Sequence, residues 1–357
     1  MKILFSGGGT LGPVTPLLAL VETLRGADDA ADFEFVWIGT ERGVELPFVR
    51  RAGIPVYTIA SGKLRREWNF KNVTDVWHVV RGFFQARALL KELRPDVVMT
   101  AGGFVSVPVH YAAWTLGIPS IVHQQDVVIG LANKLMSWVA RVITVSIAAH
   151  RAKFNQKKVV VTGNPIRPSI RVGSREKGIE LFRLRADLAT VFVFGGGTGA
   201  YAINRVVEDL VRECAGQFQI IHLTGTNRAQ PQLTDPLYHP YPFFMGEMAH
   251  AYAVADVVVS RAGFNSISEI CALGKPAILI PMRGSHQEAN AAFVAAAGAA
   301  VVIDEMSLSA ACLFDAIRDV LGDAARYAEM ADKSSALFPM DSNERMVQQL
   351  RDLQNLS

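Results

Sequence analysis

Two glycine-rich turns and the polar residues around them are the groups best able to do chemistry in this 357-residue chain. The first, Gly7-Gly8-Gly9-Thr10-Leu11-Gly12, follows the apolar run Lys2–Ser6. The second, Gly195-Gly196-Gly197-Thr198-Gly199, follows Val191–Phe194. Glycines after a strand let a phosphate or sugar approach backbone N–H groups at the start of the next helix. Gly7-x-Gly9-x-x-Gly12 fits a dinucleotide fingerprint, and Pro13 and Pro16 suit a first helical turn. The usual acidic partner would then be Glu41, which lies 29 residues after Gly12, further than the roughly 20 expected. A second glycine turn also argues against a single NAD site, and no Gly-Lys-Ser/Thr of a P-loop occurs. The plain alternative is that both are tight turns only. Glycine in excess of turn geometry favours a close approach to a ligand instead.

The elements that must position these turns follow from periodicity. Short β-rich runs at Lys2–Ser6, Phe33–Gly39, Val56–Ile59, Val97–Thr100, Ser120–His123 and Val142–Val145 alternate with amphipathic stretches such as Pro16–Arg25 and Asp75–Leu93. The pattern restarts with Val191–Phe194, Gln219–Thr224, Val257–Ser260, Ala277–Pro281 and Ala300–Ile303. Such alternation implies parallel sheets covered by helices. The expected fold is α/β, with two doubly wound Rossmann-like domains facing a cleft. The turn signal Gly163-Asn164-Pro165 divides residues 1–162 from 163–341, and a polar helix over 342–357 packs back on the first domain. Ligands of such sheets bind beyond the carboxyl ends of the strands.

Bulk properties bound the function. Half the residues are apolar and 19% are charged, as in a globular protein. Cys214, Cys271 and Cys312 are an odd number without metal-ligand spacing, and read as reduced, buried thiols of a cytosolic protein. No signal-peptide pattern opens the chain, and its most apolar stretches are broken by proline, glycine or polar residues. Residues 1–164 hold 19 Lys+Arg against 12 Asp+Glu, a balance of +7, so the remainder of the +3 chain carries −4. A basic half suggests an anionic partner, although chance could give an excess of this size.

Further motifs carry a resemblance that runs almost end to end. In the first half they are Gly8-Gly9-Thr10-x-Gly12, Gly102-Gly103-Phe104-Val105-Ser106-x-Pro108, Ala113-Trp114-x-Leu116-Gly117-Ile118-Pro119, His123-Gln124-Gln125-Asp126, Gly130-Leu131-Ala132-Asn133-Lys134 and Gly163-Asn164-Pro165-Ile166-Arg167. In the second they are Gly195 to Ala200 with Asn204, Arg261-Ala262-Gly263 leading to Ser268-Glu269, and His286-Gln287-x-x-Asn290-Ala291. In these the chain resembles the MurG-type N-acetylglucosaminyltransferases of bacterial cell-wall synthesis. The resemblance implies a glycosyltransferase B fold and inverting transfer of N-acetylglucosamine from UDP-N-acetylglucosamine. The acceptor would be the 4-hydroxyl of the muramic acid on undecaprenyl-pyrophosphoryl-MurNAc-pentapeptide, converting lipid I to lipid II for the peptidoglycan. It further implies a cytoplasmic enzyme, peripheral on the inner face of the membrane, with no cofactor and no metal. Independently, the sequence contains no Asp-x-Asp pair.

The resemblance assigns roles residue by residue. Gly197, Thr198 and Gly199 match the diphosphate loop, and Arg167 a residue near the phosphates. A departing UDP needs such N–H groups and cations when no metal is present. Met245 matches the position whose backbone holds the uracil. Asn265, Ser266, Ser268 and Glu269 belong to the donor side, with Glu269 matching the carboxylate that grips the ribose; its plain reading is a helix-start carboxylate. Gln287, Glu288 and Asn290 match the loop that recognises the sugar. In the first domain, Thr10 and Gly12 would approach the acceptor diphosphate or the reacting sugar. There the chain departs from the pattern: Leu11-Gly12-Pro13 replaces Gly-Gly-His, Gln124 replaces Glu, and Asp126 replaces Asn. Either the base has moved to Asp126, or the acceptor or the activity differs.

A candidate membrane face lies within residues 63–91, where seven basic residues stand against Glu67 and Asp75. Its members are Arg65, Arg66, Trp68, Phe70, Lys71, Trp77, Arg81, Phe83 and Phe84. Basic and aromatic side chains together suit an anionic leaflet; the plain alternative is a core helix with a solvated basic face. Basic-aromatic patches also bind nucleic acid, but no nucleic-acid fold supports that here. The competing functions are a related transferase with another lipid acceptor, a sugar-nucleotide epimerase of the same fold, an NAD oxidoreductase, and a catalytically silent binding protein.

Overall fold

The apolar strand runs found in the sequence all lie in two parallel sheets. The computed structural model describes residues 1–62, 71–196, 200–214, 216–225 and 233–354, with the backbone alone over 71–76. Two compact units result, residues 1–167 with 341–357 and residues 168–340.

The first unit runs β1 (Lys2–Ser6), α1 (Thr15–Arg25), β2 (Glu34–Thr40), α2 (Leu46–Arg51), β3 (Val56–Ile59), α3 (Lys71–Leu93), β4 (Val97–Thr100), α4 (Ser106–Thr115), β5 (Ser120–Gln124), α5 (Leu131–Val139), β6 (Val142–Val145) and β7 (Val159–Val161). Its strands order as β3-β2-β1-β4-β5-β6-β7, all parallel. The second unit runs α6 (Arg175–Phe182), β8 (Ala189–Phe194), α7 (Tyr201–Glu213), β9 (Phe218–Leu223), β10 (Tyr238–Tyr241), α8 (Met248–Val254), β11 (Val257–Ser260), α9 (Phe264–Ala272), β12 (Ala277–Leu279), α10 (Gln287–Ala296), β13 (Val301–Val302), α11 (Ala310–Gly322) and α12 (Ala324–Ala336). Its sheet has the order β10-β9-β8-β11-β12-β13, again parallel. A last helix, α13 (Ser342–Gln354), belongs to the first unit.

Both sheets are doubly wound, and strand order reverses between β1 and β4 in one and between β8 and β11 in the other. Side chains alternate across each strand. Ile3 and Phe5 join one core with α1 and α13, while Leu4 joins another with α3 and α4. In the second unit Val191 and Val193 face α7 and α11, and Phe192 and Phe194 face α8 and α9. Strands covered on both faces need near-continuous apolar runs, which is why these were legible as sequence.

Two strands escape that signal. β7 lies in the segment read as a domain boundary, and β10 contains Pro240. Both are sheet edges, where short length and a missing N–H are tolerated. The first unit also continues to Arg167, beyond the expected division at 162/163. The reason is Asn343 at the start of α13. Its Oδ1 accepts from Ile166 N–H (3.0 Å) and its Nδ2 donates to Ile166 O (2.8 Å) and Thr23 Oγ1 (2.6 Å). Met346, Leu350 and Leu353 then bury against the core of β1 and α1. Of the three cysteines, Cys214 and Cys271 are buried and Cys312 is half-buried; all are free.

Asn343→Ala leaves both backbone groups of the buried Ile166 without partners. We expect it to lower unfolding free energy by about 2–4 kcal/mol, read as a lower urea midpoint with an unchanged slope.

Candidate functional site

In the first unit the site is built around the switch point. The turn Gly7–Gly12 leaves β1, and Gly102-Gly103 leaves the adjacent β4. Trp37 Nε1 donates to Gly7 O (3.2 Å), and Thr100 Oγ1 donates to Ser6 O (2.6 Å), tying the turn to both flanking strands. Gly103 has φ +96°, and a Cβ there would lie 3.0 Å from Gly8 O. The two glycine turns therefore pack backbone on backbone.

The acidic partner of this turn is Glu45, not Glu41. Glu45 has no solvent exposure. Its Oε2 accepts from Gly9 N–H (3.2 Å), and its Oε1 accepts from Thr40 N–H (3.0 Å) and Thr40 Oγ1 (2.9 Å). An added Cβ would lie 2.4 Å from a Glu45 carboxyl oxygen at Gly8, 3.0 Å at Gly39 and 1.9 Å at Gly43. At Gly8 the close approach inferred from the excess of glycine is thus to an internal carboxyl group. A phosphate at Gly9 would compete with a carboxyl already on that N–H, a further argument against a dinucleotide here. Glu45 was missed because it precedes a short helix by one residue and no spacing rule marks it.

Thr10 is exposed at the tip of the turn and Gly12 is half-buried. A Cβ on Gly12 would lie 3.6 Å from Thr10 Oγ1 and 3.5 Å from Gln125 Nε2. Asp126, half-buried, follows directly in the loop after β5, so the structure brings Thr10, Gly12 and Asp126 to one end of the sheet. Behind that loop His123 bridges Thr144 Oγ1 (3.0 Å) and Asn164 Oδ1 (3.0 Å). Burial lowers its pKa to about 4, so this imidazole is a neutral scaffold linking β5, β6 and the Gly163-Asn164 turn. Arg167 is half-buried at the end of the first unit.

Of the residues expected on the donor side, Gly197, Thr198 and Gly199 lie outside the described residues. Asn204 on the following α7 turns inward. Its Nδ2 donates to Thr224 O (2.8 Å), and its Oδ1 faces His222 Nε2 (3.2 Å), whose Nδ1 faces Tyr238 OH (2.8 Å). Burial holds His222 at about 3. The network assigns a neutral ring with Nε2–H donating to Asn204 and Tyr238 donating to Nδ1.

Beyond β11 the switch point of the second unit is fixed by Arg261. Its buried guanidinium donates to Ile280 O (3.2 Å) and Pro281 O (3.3 Å) and pairs with Glu305. That hydrogen bond holds the Glu305 carboxyl below the usual carboxylate range. Asn290 is also turned inward, donating to Ala262 O (3.1 Å). The helix α9 opens at Gly263, with Asn265 and Ser266 half-buried and Ser268 Oγ on Phe264 O (2.8 Å). Glu269 is buried, and its Oε2 accepts from Tyr252 OH (3.1 Å). Gln287 Oε1 accepts from Met282 N–H (3.1 Å), and the exposed Glu288 accepts from Gly284 N–H (3.1 Å). Met245, the residue expected to hold the uracil, has its backbone N–H on Glu247 Oε2 (2.6 Å).

Of the candidate membrane residues, Arg65, Arg66, Trp68 and Phe70 lie outside the described residues, as does the side chain of Lys71. Trp77, Arg81 and Phe84 share an exposed stripe of α3 with Val80; Trp77 is 71% and Phe84 65% exposed. Phe83 departs from the expectation: one position along the helix, it turns half-buried onto the core beside Ala86 and Leu90. The packed neighbour α4 also exposes an aromatic ring, Trp114 (60%). No helix among the described residues is long and apolar enough to cross a membrane.

Residues 3–145 match the glycosyltransferase family 28 N-terminal domain and residues 190–346 the glycosyltransferase family 28 C-terminal domain. A Lachnospira eligens protein named UDP-N-acetylglucosamine–N-acetylmuramyl-(pentapeptide) pyrophosphoryl-undecaprenol N-acetylglucosamine transferase is 35% identical, over 98% of this chain and 99% of its own. A Legionella pneumophila protein of the same name is 36% identical, over 97% and 95%. The crystal structure of Acinetobacter baumannii MurG superposes with a TM-score of 0.74 at 24% identity, covering 98% and 99% of the two chains. A Neisseria meningitidis UDP-GlcNAc 2-epimerase shares the fold at a TM-score of 0.68 and 15% identity, covering 99% of this chain and 100% of its own.

The Glu45 cluster yields a stability test. Glu45→Gln turns an amide N–H toward the Gly9 N–H, and Gly8→Ala drives a methyl group into the carboxyl. Each is expected to cost about 1–3 kcal/mol. Their combination should cost less than the sum, because both displace the same group; urea denaturation of the three variants measures this.

Proposed function

The chain belongs to glycosyltransferase family 28, and from that premise we infer how it works: it transfers N-acetylglucosamine from UDP-N-acetylglucosamine to the undecaprenyl-pyrophosphoryl-MurNAc-pentapeptide acceptor of peptidoglycan synthesis. The observation that carries this reading is near-full-length identity of 35–36% to relatives of that named activity, with both family domains in order.

The second unit holds the donor. Its glycine loop, Asn265, Ser266 and Ser268 at the α9 end, and Gln287 and Glu288 supply N–H groups and polar side chains to the nucleotide and sugar, while buried Asn290 holds Ala262 O behind them. Buried Glu269 reaches the ribose from the same helix, and Met245 offers its backbone to the uracil. Arg167 adds a cation for the diphosphate. Preorganised N–H groups and a fixed cation stabilise the charge that grows on a leaving UDP, and without an Asp-x-Asp pair this chain does so by itself, without a metal. The acceptor lies with Thr10, Gly12 and Asp126 in the first unit. As the C1–O bond to UDP breaks, the 4-oxygen of the muramic acid forms the new bond to C1 from the opposite face. Its proton passes to the Asp126 carboxylate, and UDP leaves with the bonding pair. Configuration at C1 is inverted. Gln124 cannot take that proton, because a carboxamide has no basic site near neutral pH; its NH2 instead donates to the loop (2.7 Å to Asp126 O).

The enzyme works from the cytoplasm as a peripheral protein. The exposed stripe Trp77, Arg81 and Phe84 presents apolar rings and positive charge to an anionic leaflet.

Two measurements test this. Labelled N-acetylglucosamine should pass to a soluble, short-chain lipid-linked muramyl-pentapeptide in the presence of chelator, and Asp126→Asn should slow turnover by about 10²–10⁴-fold while donor binding persists. Near-normal turnover in that variant places the base elsewhere. In vesicle co-sedimentation, the Trp77→Ala, Phe84→Ala pair should bind anionic vesicles about tenfold more weakly; unchanged binding removes this face from the docking surface.

A further inference from the structure

The loop after β5 is held in an unusual way. Three consecutive backbone carbonyls, those of Asp126, Val127 and Val128, are each taken by a side-chain donor. Gln124 Nε2 donates to Asp126 O (2.7 Å) and Val128 O (3.3 Å), and His150 Nε2 lies 3.1 Å from Val127 O. Gln124 and His150 are both buried. The orientation of the Gln124 amide is not free. Asn133 Nδ2 donates to His123 O (3.0 Å) and to Gln124 Oε1 (2.8 Å). The oxygen of Gln124 therefore faces Asn133, and its NH2 must face the loop.

A carboxylate at 124 could not do this. It would set an acceptor against two carbonyl oxygens and repel both. The histidine is fixed by a similar constraint. Burial lowers its pKa, so the ring is neutral, and with Val127 O as its acceptor the proton sits on Nε2. Its Nδ1 has no hydrogen-bond partner among the described residues, so among them the carbonyl contact is the hydrogen bond that orients the ring.

We propose that Gln124 and His150 are positioning residues: by holding the carbonyls of Asp126, Val127 and Val128, they fix the loop so that the Asp126 carboxyl meets the acceptor hydroxyl in one orientation. The proposal rests on Asp126 as the base. Glutamine at 124 supplies the donors that two of the loop carbonyls take, and His150 supplies the remaining anchor from the 148–153 turn.

The test is steady-state kinetics of the full chain with the short-chain acceptor, with melting temperature and UDP-N-acetylglucosamine binding as controls of fold. Gln124→Glu and His150→Ala should each lower kcat about 10–100-fold without changing the KM for the donor. His150→Gln, whose amide can still donate to Val127 O, should recover most of the loss. In an Asp126→Asn background neither change should lower kcat further, because the group they orient is gone. Full kcat in both single variants, or losses that multiply in the Asp126→Asn background, overturns the proposal. If Asp126→Asn is itself fully active, the reading of Asp126 as base fails first; if it is inactive while the loop variants are normal, only the positioning role fails. Should Gln124→Glu not fold, the His150→Ala and His150→Gln pair decides.

Discussion

A carboxyl group removed from water must find its hydrogen-bond donors within the protein or it destabilises the fold that buries it. Glu45 meets that condition with three donors, Gly9 N–H and both donors of Thr40, and much of the first unit is shaped by it. The carboxyl fills the space where side chains at Gly8, Gly39 and Gly43 would begin. It holds the turn after β1 close to the end of β2. On that turn rests Gly103 from the neighbouring β4, so both turns at the switch point depend on one buried acid. Thr10 and Gly12 can face outward because the backbone beneath them is already satisfied.

The second unit solves the same problem with a cation. Arg261 reaches the carbonyls at the end of β12 and closes its charge on Glu305 beyond β13. Asn290 then holds the carbonyl of Ala262. A parallel sheet ends in carbonyls and loops that have no ladder partners, and each unit uses buried polar side chains to organise those ends. The motif residues accordingly divide into two kinds. His123, Asn204, Arg261 and Asn290 are internal framework, whereas Thr10 and Glu288 are exposed and Asp126 is half-buried.

This division sets what a substitution can change. Changing an exposed or half-buried residue leaves the framework intact. Changing a framework residue demands a matching change in its partners. Gln124 is of the second kind: buried, its amide spans Asn133 and two loop carbonyls, and it cannot be altered without altering what the loop presents.

Periodicity and glycine turns were enough to read two doubly wound sheets, because strands buried on both faces must be continuously apolar. The same reading placed a polar helix at the end of the chain, and α13 buries Met346, Leu350 and Leu353 in the core of the first unit. The edge strands β7 and β10 were not legible, since edges tolerate proline and brevity. Among site residues, types and spacing pointed to the glycine turns, and the family resemblance pointed to the 123–126 segment, Arg261 and the 287–290 segment. Sequence could not show that Phe83 faces the core while Phe84 faces outward, because both are aromatic and adjacent and only packing separates them. Nor could it find Glu45 or His150. Their roles exist only because strands and loops distant in sequence meet at one sheet end, where a buried polar group is defined by its partners and not by its neighbours in the chain.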